Sequence, residues 1–215
     1  MTSLLAQTGL SFLVGTQRSL ILGSTSVYRR ELLARLRLPF DVANPNVDET
    51  PLAGEAPAEL ARRLALAKAH AVAAQHPDAV VIGSDQVAAL DGVPLGKPGN
   101  HERATAQLRQ MQGRAVVFQT AVAVVCHATG FEQVRIAPVR VQFRGLSNDE
   151  IERYLLAEQP YDCAGSAKSE GLGIALLSSI DSDDPTALIG LPLIRTCDLL
   201  RAAGLSLLAP SGSCP

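Results

Sequence analysis

Between Ser19 and Phe143, short apolar runs ending in glycine or a polar residue alternate with helical stretches. The series closes on two long apolar segments joined around Thr129-Gly130. That order restricts the fold more than any other feature of the chain. Short buried strands separated by helices build a parallel sheet with helices packed on it, and a long hairpin adds antiparallel strands. The pattern therefore predicts a mixed-sheet α/β domain. Ser19–Gly23 reads as the first buried strand. Ser26 is placed to cap a helix in which Leu32, Leu33 and Leu36 share one side, and Phe40–Ala43 alternates like a second strand. An acidic loop, Asn44–Pro51, leads to an Ala/Leu-rich helix over Pro57–Gln75, with Pro57 in its first turn.

Val80–Val87 is predicted as a strand that turns polar at its end. Asp91-Gly92 marks a tight turn, Gly96–Gly99 ends that excursion, and a helix spans Glu102–Met111. Val116–Cys126 and Gln133–Phe143 form the hairpin. Ser147-x-x-Glu150 is a capping box for a helix over Asp149–Ala157, and the last helix lies near Leu193–Ala203.

At 215 residues the chain can bury a core without disulfides or metal. With 19 Lys and Arg against 21 Asp and Glu, it lacks the broad basic face that bulk nucleic-acid binding needs, because such affinity scales with phosphates neutralised. A small anionic ligand held by a few cations stays compatible with that balance. No apolar run approaches the roughly 20 residues of a membrane span. Residues 1–17 carry no Lys or Arg, unlike a secretory signal, and read as a mobile extension or a misplaced start. The expected organisation is that extension, one domain over 18–208, and a tail at 209–215. The cysteines, Cys126, Cys163, Cys197 and Cys214, form no C-x-x-C pair and read as reduced, buried thiols of a cytoplasmic protein.

Three features carry chemistry. Ser24-Thr25-Ser26 leads into Arg29 at a helix start, where free N–H groups, hydroxyls and a guanidinium suit phosphate oxygens; an ordinary capped helix accounts for the same spacing. Asp48 and Glu49 lie in a loop and Asp85 at a strand end, where ligands bind in open α/β sheets. Converging carboxylates there would hold Mg²⁺ or Mn²⁺, while Asp85 alone would merely cap a turn. Lys68 falls on the apolar side of its helix, four residues after Leu64, and Lys97 sits between Gly96 and Pro98. Snorkelling and solvation explain two lysines, whereas convergence on the carboxylates would balance a polyphosphate with metal. There is no G-x-x-x-x-G-K-[ST], Gly171-x-Gly173 lacks the rest of a dinucleotide fingerprint, and there is no G-x-S-x-G elbow, so water is the expected nucleophile.

Taken in order, Ser24–Arg29, Val47–Thr50, Lys68-Ala69, Gly83–Gln86, Gly96–Pro98, and Cys163–Ser166 with Glu170-Gly171 resemble the Maf family of nucleotide pyrophosphatases, from about Ser19 to about Ala203. The resemblance implies a curved mixed β-sheet flanked by helices, with two lobes around a nucleotide cleft, commonly dimeric. It implies hydrolysis of a nucleoside triphosphate to monophosphate and diphosphate with a divalent metal cation. On the matching positions Asp85 is the general base or metal-site acid, Glu49 a metal ligand, and Ser24, Arg29, Lys68 and Lys97 line the phosphate pocket. Val27 stands where the family usually has proline; proline stiffens the loop but supplies no chemical group.

Tyr28, Gln86 and Glu170 stand where the branch acting on dTTP and UTP looks like Arg, Thr and Gln, and they resemble the branch that acts on 7-methyl-GTP. Tyr28 offers a face for a ring with fixed positive charge, and Glu170 can accept from the N1–H and exocyclic amine of guanine. A pyrophosphatase of broader specificity and a non-hydrolysing nucleotide-binding regulator of cell division are the competing expectations. The paired charges of Asp85, Lys68 and Lys97 argue against the second.

Overall fold

The computed structural model describes residues 18–208; the extension at 1–17, the tail at 209–215 and Cys214 lie outside the described residues. β1 (Leu20–Gly23) runs into α1 (Val27–Ala34), whose first turn is closed by Ser26 Oγ accepting from Arg29 N at 3.4 Å. α1 begins at Val27 without the family's proline. β2 (Asp41–Ala43) is followed by α2 (Pro57–Ala73), with Pro57 in the first turn, where a missing N–H costs nothing. Then come β3 (Val80–Leu90), β4 (Val93–Leu95), α3 (His101–Met111), β5 (Ala115–Cys126) and β6 (Phe131–Phe143). α4 (Asn148–Glu158) carries the expected capping box, and β7 (Leu177–Asp181) and α5 (Leu193–Ala202) complete the order. No helix among the described residues is long and apolar enough to cross a membrane.

The strands form one seven-stranded sheet in the order β2-β1-β3-β5-β6-β7, with β4 paired to β3. β1 is parallel to β2 and β3; the remaining pairs are antiparallel. The domain is therefore mixed α/β as expected. β3 corrects one detail: Asp85 lies mid-strand, because Val87–Leu90 stay in register with β5 from Gln119 to Val116 and with β4. β4 and β7 escape a pattern search because one holds a proline and the other is a short polar edge strand.

Side chains alternate across the sheet along β3. Val81 and Val87 pack with Leu60, Leu64 and Val72 of α2, whereas Val80 and Ile82 pack with Leu32 and Leu33 of α1 and Leu199 of α5. A third core, built on Phe118, Met111, Phe143 and Leu155, lies toward α3 and α4. α2 approaches the sheet closely because its buried face is rich in alanine and meets two paired glycines, Gly23 and Gly83. A Cβ at Gly83 would stand 2.6 Å from Ala69 N, and one at Gly23 would stand 3.2 Å from Lys68 O.

Candidate functional site

That close approach sets Lys68 into the sheet. Its side chain is only 5% exposed, and Nζ donates to Asp85 Oδ1 and forms an ion pair with Glu49 Oε1, each at 2.6 Å. Asp85 reaches it from β3 and Glu49 from the loop after β2. The convergence that spacing left open is thus present, and Lys68 does not snorkel. An ammonium bonded to two carboxylates carries its compensation into a buried place, where an unpaired charge would be costly.

Arg29 faces the same group from α1. Its Nε donates to Gly190 O at 2.9 Å and its Nη1 to Ser24 Oγ at 3.4 Å. Ser24 is buried, and its Oγ also accepts from Ser26 N at 3.2 Å. Burial lowers the Arg29 guanidinium, and the charges of Asp85 and Glu49 oppose that shift. At Glu49 burial raises the carboxyl, but the hydrogen bond and charge of Lys68, with Lys97 and Arg29, outweigh it and hold the group below its usual value. Lys97 itself is exposed. Its loop is pinned on both sides, by Gln107 Nε2 donating to Gly96 O and by Gly99 N donating to Tyr161 O, each at 2.9 Å.

Two carboxylates and three cations therefore share one site beyond the carboxyl end of β1. A hollow lined by Arg18, Leu20, Phe40 and Leu205 opens at the other end of β1 and holds none of these groups.

Lys68 occupies one oxygen of each carboxylate, leaving Glu49 Oε2 and Asp85 Oδ2 for another cation. Among the described residues, no cluster of three or more His, Cys, Asp or Glu closes on one point. This donor set suits Mg²⁺ or Mn²⁺, which accept one or two carboxylates and complete their shell with water and phosphate oxygens.

Tyr28, one residue before Arg29, turns toward the segment after α4. Burial raises its hydroxyl, assisted by the neighbouring Cys163 and Asp162, and Glu170 adds to the shift. Tyr28 and Glu170 therefore share a neighbourhood, although Glu170 is exposed rather than buried. Gly171 and Gly173 are explained by packing. A Cβ on Gly171 would meet Glu158 Oε1 at 2.6 Å, and one on Gly173 would meet Lys168 O at 2.5 Å.

Gln86 stands apart from Asp85, because consecutive residues of a strand point to opposite faces. Its Nε2 donates to Thr120 Oγ1 and Ala187 O at 2.9 Å and to Leu188 O at 3.0 Å. Ser84 Oγ reaches Gly190 O at 3.0 Å, and Thr120 Oγ1 reaches Ala187 O at 2.9 Å. Gln86 thus anchors the 187–190 segment, whose Gly190 carbonyl in turn holds Arg29. Thr120 leaves no signal in the sequence, since a lone buried hydroxyl forms no pattern to read, and Ser84 shows there only within the Gly83–Gln86 run.

Among the described residues the three cysteines are free, Cys126 buried and Cys163 and Cys197 partly so. Burial and the adjacent Asp162 push the Cys163 thiol up to about 12. A thiol held that high stays protonated near neutral pH and is a poor nucleophile. Iodoacetamide at pH 8, followed by mass spectrometry, is expected to label Cys163 far more slowly than a free cysteine peptide. Labelling at the peptide's rate would refute that environment.

The Maf-like protein family matches this chain over residues 19–203. A 7-methyl-GTP pyrophosphatase of Polaromonas sp. (strain JS666 / ATCC BAA-500) is 70% identical over 210 residues, covering 98% of this chain and 96% of that protein. One of Albidiferax ferrireducens is 71% identical over 192 residues (89% and 96%), and one of Aromatoleum aromaticum is 60% identical over 188 residues (87% and 97%).

Proposed function

The chain belongs to the Maf family, and we propose that it hydrolyses 7-methyl-GTP to 7-methyl-GMP and diphosphate. The observation that supports the hydrolysis is the buried Lys68 bridge between Asp85 and Glu49, with Arg29 and Lys97 around it, and the choice of 7-methyl-GTP rests on the similar 7-methyl-GTP pyrophosphatases. Such a site has cations for a triphosphate and a carboxylate for water.

In this mechanism Arg29, Lys68 and Lys97 bind the phosphate oxygens and stabilise charge that grows on the departing diphosphate. Ser24 keeps Arg29 oriented. Asp85 orients the attacking water and accepts its proton as the water oxygen bonds to the α-phosphorus and the α–β bridging bond breaks. A divalent ion, held through Glu49 and Asp85, would neutralise the triphosphate and polarise it. Tyr28 stacks on the base, and Glu170 accepts from its N1–H and exocyclic amine. Gln86 serves specificity through the segment it anchors.

A cytoplasmic location fits the free cysteines among the described residues, since thiols stay reduced there. A homodimer belongs to the same reading.

The test is diphosphate release with Mg²⁺ or Mn²⁺ from 7-methyl-GTP, GTP, dTTP, UTP and CTP. A clear preference for 7-methyl-GTP is expected. A flat profile would discard the base assignment, and no release from any of them would favour a nucleotide-binding protein without hydrolysis.

A further inference from the structure

We propose that Lys168 is a specificity-tuning residue: its ammonium rests on the face of Tyr28 where a cationic base would stack, so the protein carries its own competitor for that seat. This rests on the reading of Tyr28 given above. Nζ lies 5.8 Å from the Tyr28 ring centroid, within reach of a cation–π contact. The same ammonium is 3.4 Å from Glu158 Oε2.

The backbone beneath it is held firmly. Lys168 N donates to Tyr154 Oη at 3.0 Å, and Tyr154 Oη donates to Ser166 O at 3.1 Å. Leu172 N donates to Glu158 Oε1 at 2.6 Å, and Gly173 packs against the Lys168 backbone. Only the side chain is free to leave the ring, and it is 29% exposed. Among the described residues, Lys168 is the cation that bears on Tyr28, in a neighbourhood that also holds Asp162, Glu158 and Glu170.

A base that stacks on the face of Tyr28 occupied by Lys168 must first displace that side chain. A neutral guanine meets only that competition. A methylated guanine, with its fixed positive charge, also meets repulsion from an ammonium that Glu158 keeps close by. Removing the charge at position 168 therefore helps both ligands, and helps the methylated one more. The competition alone amounts to about two- to five-fold, the value of one exposed cation–π contact. Repulsion widens the effect for the methylated base.

The experiment is calorimetric binding of 7-methyl-GMP and GMP, products that are not turned over, to wild type, Lys168→Met and Lys168→Arg at low salt. Lys168→Met is expected to bind GMP about two- to five-fold tighter and 7-methyl-GMP tighter by a larger factor. Lys168→Arg, which keeps the charge and stacks on the ring, should bind neither ligand more tightly than wild type, and added salt should shrink the extra gain for 7-methyl-GMP. Unchanged or weaker binding of 7-methyl-GMP by Lys168→Met, with wild type still preferring it over GMP, would overturn the role of Lys168 alone. A wild type with no preference between the two would overturn the Tyr28 reading and this inference with it.

Discussion

Asp85→Asn is expected to lower diphosphate release by about 10³-fold, in the middle of the range associated with loss of a general base. Asparagine keeps the volume of the side chain and keeps an oxygen for Lys68, which also retains Glu49 at 2.6 Å. The buried ammonium is therefore not orphaned, and the domain should still fold. What disappears is the more deeply placed of the two carboxylates on Lys68, Asp85 being 10% exposed at its side chain against 54% for Glu49. The amide cannot take a proton from water. Circular dichroism should show a native spectrum while steady-state assays show the loss. Rates like those of wild type would remove Asp85 from the chemistry, and an unfolded variant would show that its role is structural.

The second large effect comes from a residue that touches no substrate. Gly83→Ala is expected to destabilise the domain by about 3 kcal/mol, at the upper part of the range for an overpacked core. The added methyl would overlap the Ala65 carbonyl oxygen and crowd Ala69 N, which are backbone atoms of α2 and cannot rotate aside. Either the helix lifts or the strand bows. For a domain of this size the corresponding fall in melting temperature is about 10 °C. Lifting α2 also draws Lys68 away from Asp85, so the fraction that folds should turn over more slowly than wild type. Gly145→Ala, with open space around it, serves as the control and should melt with wild type. A Gly83→Ala protein melting within about 2 °C of the control would contradict the close-packing account.

Much of the fold was legible because its signals are local. The Ser26 cap, the Ser147–Glu150 capping box and the first-turn Pro57 each operate within a few residues, and the structure uses all three. The hairpin was legible from two long apolar segments, although its join includes a 3₁₀ turn at His127–Thr129 before Gly130 in the left-handed region. The strands β4 and β7 were not, since edge strands are short and need no apolar alternation. Within the candidate site, Lys68 could be suspected from a charge on an apolar helix face. Its two partners could not be assigned, because Glu49 and Asp85 lie 19 and 17 residues away along the chain.

The chain's residues by themselves determined the order of elements, the caps, the mixed-sheet class and the ordered set of charged residues that resembles one family. Those are matters of periodicity and residue type, and they survive without knowing which segments touch. Tertiary structure decided that Lys68 bridges Glu49 and Asp85, and that Gln86 faces away from Asp85 to hold the segment carrying Gly190. It also decided that Lys168 covers Tyr28. Each of these depends on a distance between segments remote in sequence. Such distances are set by how closely α2 can settle on Gly23 and Gly83 and by which face of β3 a side chain leaves from, and only packing fixes them.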